Sequence, residues 1–192
     1  MDNRELILQS ALDLFYARGY DAVGVQEIVD RAGVTKPTLY YYFGSKLGLL
    51  QKLLESQCQI LNQGVEEAAK KEGNLPEILY GVARFFFDFA ASHEKFYLFM
   101  LALFYSGREN EAFQTVAPFI ESHYNMILGI FEAAAPQLGN MRGRQKLFAV
   151  GFTGVLNHIM MVSYGRKIDE KFEISNETTY EIVHQFLYGI YT

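Results

Sequence analysis

Sulfur chemistry is nearly absent from this 192-residue chain: its one cysteine, Cys58, cannot close an internal disulfide, so nothing calls for an oxidising compartment. The opening MDNRELILQS lacks the apolar run of a secretory signal and reads as the start of a soluble helix, which points to the cytoplasm. Long apolar runs are scarce too. FYLFMLALFY (96–105) is too short to cross a bilayer, whereas LFAVGFTGVLNHIMMVSY (147–164) reaches the lower length limit but carries Asn157 and His158 mid-run, beside Gly151, Thr153 and Gly154. That segment is expected to be a buried helix, with no membrane as partner. His93, His123, His158 and His184 are scattered, and no HExxH or Cys–His grouping occurs, so no metal, no cofactor and no catalysis are expected. Strand-like alternation, internal repeats and low-complexity stretches are missing as well.

What is present is a folded composition: 50% apolar, 15% aromatic and 20% charged residues. The apolar positions recur with helical spacing almost everywhere, which makes the chain all-α. Ile7, Ala11, Leu14 and Phe15 form one stripe, with Asp2 or Asn3 as cap and Gly19 as stop, predicting a helix over 3–18. Val25, Ile28, Val29 and Ala32 mark a short second helix ended by Gly33. Thr35 caps a third, whose first turn tolerates Pro37 because its missing N–H would have no intrahelical partner. Ser45 caps a fourth from Lys46 into the sixties, and KKEGNLPE then reads as a boundary. Further helices are expected over 76–91, 93–105, 112–134, 142–166 and 176–191, with Pro118 either starting the 112–134 helix near Ala117 or kinking it there.

A further absence is local. From Arg31 to Leu54 there is no Asp or Glu, while Arg31, Lys36, Lys46 and Lys52 are positive; residues 1–52 hold six basic and six acidic side chains, leaving the whole net charge of -5 to the remainder. A small carboxylate-free basic face suits a polyanion. Two short helices around a glycine-containing break have the geometry of a helix-turn-helix, whose second helix enters the major groove. Leu39 and Phe43, at i and i+4, would pack that helix inward and leave Tyr40, Tyr41 and Tyr42 fanned around its remaining circumference, hydroxyls within reach of phosphates.

The run from Leu6 to Leu50, above all AGVTKPTLYYYFGSKLGLL from Ala32, resembles the N-terminal DNA-binding domain of the tetracycline-repressor (TetR) family of transcriptional regulators. The matching elements are FYARGY, EIVDRAGV, TLYYYF and the SK that starts the next helix. The resemblance implies a helix-turn-helix domain over 1–47 and a helical effector-binding and dimerisation domain over 48–192. By position it makes Lys36 a base reader, able to donate to guanine O6 and N7, with Gln26 a second candidate. Pro37 offers ring methylenes to a thymine methyl. Thr35, Thr38, Tyr41 and Tyr42 would grip phosphates, Tyr40 would touch backbone or base, and Lys46 would add charge at a phosphate. Gly24 and Val25 depart from the hydroxyl residues that many relatives carry there.

By the same resemblance the aromatic remainder is an effector domain for a small apolar or aromatic molecule. Phe86, Phe89, Phe99, Met100, Tyr124, Phe152, Asn157, His158 and Met161 are its candidate lining residues; Asn157 and His158 would orient the ligand or else pair in the core or a dimer interface. The last two helices would form a homodimer's four-helix bundle, placing two recognition helices on a near-palindromic double-stranded DNA operator. The expected activity is ligand-released repression. An activator or co-repressor-dependent regulator, and a helical interaction protein that does not bind DNA, are the alternatives.

Overall fold

The computed structural model describes residues 2–70, 73–138, 141–166 and 173–189. Regular structure among them is helical throughout: α1 (Asn3–Arg18), α2 (Val25–Ala32), α3 (Lys36–Phe43), α4 (Lys46–Ala69), α5 (Leu75–Ser92), α6 (Glu94–Phe104), α7 (Glu111–Ala134), a 3-10 turn (Ala135–Gln137), α8 (Gln145–Arg166) and α9 (Asn176–Tyr188). The expected extension of the last helix to Tyr191 lies outside the described residues, as does most of the preceding loop. Pro118 does not start α7, which runs through it from Glu111.

The chain divides into two compact units, Met1–Gln59 with His93–Ile120, and Ile60–Ser92 with Glu121–Thr192. A sequence boundary after residue 47 anticipates neither the inclusion of α6 in the first unit nor the passage of α4 and α7 from one unit into the other. The reason is packing between segments distant along the chain, which leaves no local composition change.

In the first unit, local signals set the helix ends. The Glu5 N–H donates to Asp2 Oδ1 at 2.8 Å and the Asp2 N–H to Glu5 Oε2 at 3.4 Å, a reciprocal cap on α1. Gly33 closes α2 at φ 68°, in the left-handed region that glycine enters without strain. Ile7, Ala11 and Phe15 of α1, Ile28 and Val29 of α2, and Leu39 of α3 are buried together with Phe96 and Phe99 of α6. Phe15 stacks on Phe99 with ring centroids 5.6 Å apart. Around this core, Asp13 accepts from Lys95 Nζ at 2.5 Å and from Arg31 at 3.1 Å. Partial burial works against its charged form, but these two cations hold its carboxyl below the usual range. The Tyr20 hydroxyl donates to Glu111 at 2.9 Å, joining the end of α1 to the start of α7.

In the second unit, Asn74 and Glu77 cap α5 reciprocally, both hydrogen bonds being 3.0 Å. Gly64 permits a close crossing, since a Cβ there would meet the Phe85 ring at 1.9 Å. The rings of Phe131, Phe148, Phe152 and Phe186 cluster, Phe152 lying 5.2 Å from Phe186. Because Phe148 and Phe152 belong to the first half of α8 and Phe186 to the last turn of α9, the two helices run antiparallel. Arg84 of α5 ties α9 down by donating to Thr179 Oγ1 at 3.0 Å and to the Ile174 carbonyl.

The expectation that α8 is buried holds for one face only. Ala149, Phe152, Leu156 and Met160 point inward, whereas Leu147, Val150, Val155, Met161 and Val162 are exposed. By length and mean hydropathy of 1.4, Gln145–Tyr164 meets the dimensions of a membrane span, with 22% of that window buried. Its buried side is nevertheless built into the phenylalanine cluster of a helical unit.

His123 of α7 pairs with Asn62 of α4, Nδ1 to Oδ1 at 3.2 Å, and desolvation pulls its pKa down to about 4. A histidine that takes up protons more readily when unfolded makes stability rise with pH across the interval between its two values. Unfolding free energy is therefore expected to fall by on the order of 2 kcal/mol as pH drops from about 6.5 to 4 through this group. Denaturant titrations at several pH values check this: the His123→Gln protein should show a flatter profile over that interval.

Candidate nucleic-acid interface

The eight residues of α3 bury two side chains, Leu39 and Phe43. Everything else on the helix is available to a ligand. Thr35 is the N-cap; its Oγ1 accepts from the Thr38 N–H at 3.4 Å and lies 2.9 Å from the Thr38 hydroxyl. Only one proton sits between the two hydroxyls, so the other remains for an outward acceptor such as a phosphate oxygen. Lys36 and Pro37 are exposed at the first turn, and the Lys36 ammonium makes no hydrogen bond or ion pair among the described residues. Tyr40 and Tyr42 are 46% and 38% exposed and Tyr41 83%, so all three tyrosines of the expected fan face outward. Tyr41 and Tyr42 meet edge-on at 5.2 Å, which restricts their rotamers while leaving the hydroxyls outward.

Carboxylates near this face are already engaged. Glu27 accepts from the Gly24 N–H at 3.0 Å and pairs with Arg18, and these contacts hold its carboxyl below the ordinary range. Asp30 accepts from the Gln26 amide at 2.7 Å. Gln26 is exposed as expected; one of its two amide protons is spent along the helix, and the other remains beside its carbonyl oxygen.

Lys46 differs from the expectation. Its ammonium points back into the domain, donating to the Tyr20 and Val23 carbonyls at 3.0 Å each and lying 4.1 Å from the centre of the Tyr20 ring. Those carbonyls belong to the link between α1 and α2, outside any helix, so the lysine satisfies the chain there with two of its three donors. Sequence position alone could not reveal this, because the two acceptors lie more than twenty residues away.

The residues expected to line an effector site are dispersed. Phe99 and Met100 are buried in the first unit, where Phe99 packs on Phe15. Phe86, Phe89 and Phe152 are buried in the second unit, and Tyr124 and Asn157 are half-buried there. His158 and Met161 lie on the exposed face of α8, lining no described cavity. The second unit instead offers a cleft of about 480 Å³ lined by Tyr80, Tyr180, His184 and Tyr188 with Glu77. Another, of about 350 Å³, lies between α4, α5 and α7, floored by Met126, Ile130 and Ala133. Sequence reading passed over both, although Tyr180, His184 and Tyr188 recur at i, i+4 and i+8. It also passed over the Asn62–His123 pair, whose members are 61 residues apart.

Residues 7–53 match the family described as bacterial regulatory proteins, tetR family. Over 88 residues the chain is 40% identical to the transcriptional activator FasR of Mycolicibacterium smegmatis, covering 46% of this chain and 40% of FasR. It is 44% identical over 50 residues to the transcriptional repressor BdcR of Escherichia coli, covering 26% of this chain and 25% of BdcR. The chain thus spans less than half the length of these curated relatives. Across 97% of this chain and 99% of the other, the structure is similar to the regulator FadR of Bacillus subtilis solved with stearoyl-CoA, with a TM-score of 0.82 and 19% identity, a likeness of fold.

Two substitutions separate the roles within this face. Lys36→Ala should alter preference at one base pair by about 1–3 kcal/mol, read by selecting bound duplexes from a random pool; a profile identical to wild type refutes the base-reading role. Lys46→Met should leave that profile intact but lower resistance to denaturant by about 1–3 kcal/mol, because two carbonyls lose their donor.

Proposed function

From residues 7–53, a DNA-binding domain of the tetR family, we propose that the chain acts in the cytoplasm as a homodimeric, effector-responsive transcriptional regulator. The observation that carries this is α3 itself. A short helix anchored by Leu39 and Phe43 presents Lys36, a threonine pair and three outward tyrosines, with Glu27 paired to Arg18 and Asp30 hydrogen-bonded to Gln26. Lys36 reads a base edge in the major groove, with the Gln26 amide and the Pro37 ring beside it. Thr35, Thr38, Tyr41 and Tyr42 hold phosphates and set the depth of insertion, and Tyr40 contacts the backbone or base at the rim.

One such helix makes few contacts, so binding requires two copies spaced about 34–36 Å apart on a near-palindromic site. An effector acts by preferring the conformer in which that spacing is lost, and can shift the equilibrium only by its difference in affinity for the two conformers. The effector is a small apolar or aromatic-rich molecule; the fold shared with an acyl-CoA-bound regulator makes long-chain acyl-CoA the first class to try. Repression follows when the operator overlaps the promoter, the case we favour. The sequence match to the activator FasR supports the second reading, in which the operator lies upstream and bound protein recruits transcription.

Affinity for an operator obtained by duplex selection should fall linearly with salt on logarithmic axes, as phosphate contacts release counterions; a salt-independent affinity overturns the phosphate-gripping face. Stearoyl-CoA titrated into the complex should release the duplex, and a reporter driven by that operator distinguishes repression from activation by the sign of its response.

A further inference from the structure

We infer that the cleft between the start of α5 and the end of α9 is a binding site for an organic cation, an ammonium group carrying apolar substituents, held over aromatic faces and neutralised by Glu77. The site goes beyond the effector reading above, since an acyl-CoA carries phosphates that these surroundings repel.

The cleft, of about 480 Å³, lies within the second unit and is lined by Tyr80, Tyr180, His184 and Tyr188, with Glu77 at the start of α5. That volume falls in the range of small-molecule sites. Tyr180 and Tyr188 are 61% and 55% exposed, so neither ring is held by the core. His184 stands between them on α9, its ring centre 5.9 Å from that of Tyr180 and 4.6 Å from that of Tyr188. Their spacing of i, i+4 and i+8 files the three rings along one side of the helix. A single exposed aromatic calls for no explanation, but a file of three sharing a cleft with Tyr80 makes a wall of π faces.

Charge selects the ligand. No Lys or Arg lines the cleft, and α9 bears Glu177 and Glu181 with no basic side chain except His184. Arg84, the one basic residue of α5, is occupied by Asp88, Thr179 and the Ile174 carbonyl. Glu77 is exposed; its Oε2 accepts from the Asn74 N–H at 3.0 Å, and its Oε1 makes no hydrogen bond among the described residues. Ring faces attract a cation through their quadrupoles, and a carboxylate without a counter-ion beside them adds Coulomb attraction. A metal ion is poorly served, because no group of three or more His, Cys, Asp or Glu side chains gathers among the described residues. An ammonium with apolar substituents uses both the rings and the carboxylate.

The cleft is not the seam between α9 and α8. Phe186, which packs on Phe152 of α8 with ring centroids 5.2 Å apart, is two residues from His184 and so stands about 200° round the helix from it. A second copy covering the α8–α9 seam leaves the α5 side of α9 open. A cation bound there clamps the first turns of α5 to the last turns of α9.

Isothermal titration calorimetry with benzyltrimethylammonium provides the test, with benzyl alcohol as a neutral control and phenylacetate as an anion of similar size. The cation is expected to bind saturably, about tenfold or more tighter than either control. Glu77→Gln, which keeps the reciprocal cap with Asn74, and Tyr188→Leu should each weaken binding about tenfold with helical content unchanged. Tyr188→Phe retains the ring and should bind like wild type. Absence of saturable binding, equal affinity for phenylacetate, or Glu77→Gln and Tyr188→Leu proteins that bind like wild type overturns the inference. A Tyr188→Leu protein that loses self-association in sedimentation equilibrium while keeping its affinity for the cation assigns the cleft to a second copy and overturns it as well.

Discussion

An eight-residue helix does not hold together alone in water, so α3 exists because Leu39 and Phe43 are buried. Those two side chains take one strip of the helix and release the rest. Every feature of the candidate interface follows from that division: Lys36 and Pro37 reach outward at the first turn, the tyrosines spread around the circumference, and the Thr35–Thr38 hydroxyl pair closes the helix start. The link ahead of α2 is held from behind by Lys46, whose ammonium donates to the Tyr20 and Val23 carbonyls. Two of the ammonium's three donors are thereby spent on order.

The same economy of pairing runs through the first unit. Asp13 accepts from one cation on α2 and one on α6, and Tyr20 reaches Glu111 at the start of α7. The short helices are therefore not an independent module at the front of the chain. They share a core with α6, as the Phe15–Phe99 stack shows, and any shift of α6 has to be accommodated by the helices that would read DNA.

The second unit turns on a different balance. Its phenylalanine cluster fixes the inward face of α8 against α5, α7 and α9, and this leaves an outward face equally apolar but unmatched. Aromatic richness alone does not separate core from pocket. Of the side chains expected to line an effector site, Phe86, Phe89 and Phe152 are buried and His158 and Met161 are exposed, whereas the clefts are lined by tyrosines, a histidine and small apolar residues.

What the sequence determined by itself is local: the caps at Asp2 and Thr35, the stops at Gly19 and Gly33, the inward pair Leu39 and Phe43, and the carboxylate-free stretch around α3. These depend on residues within a turn or two of each other, and the chemistry of a cap or a helical face is complete at that range. Only the tertiary structure decided that Lys46 turns inward, that α6 joins the first unit, that α8 has two apolar faces of opposite fate, and that Asn62 meets His123. Each of these depends on which distant groups arrive beside a side chain, and a buried donor, a desolvated imidazole or an unmatched apolar stripe is defined by those neighbours rather than by its own identity.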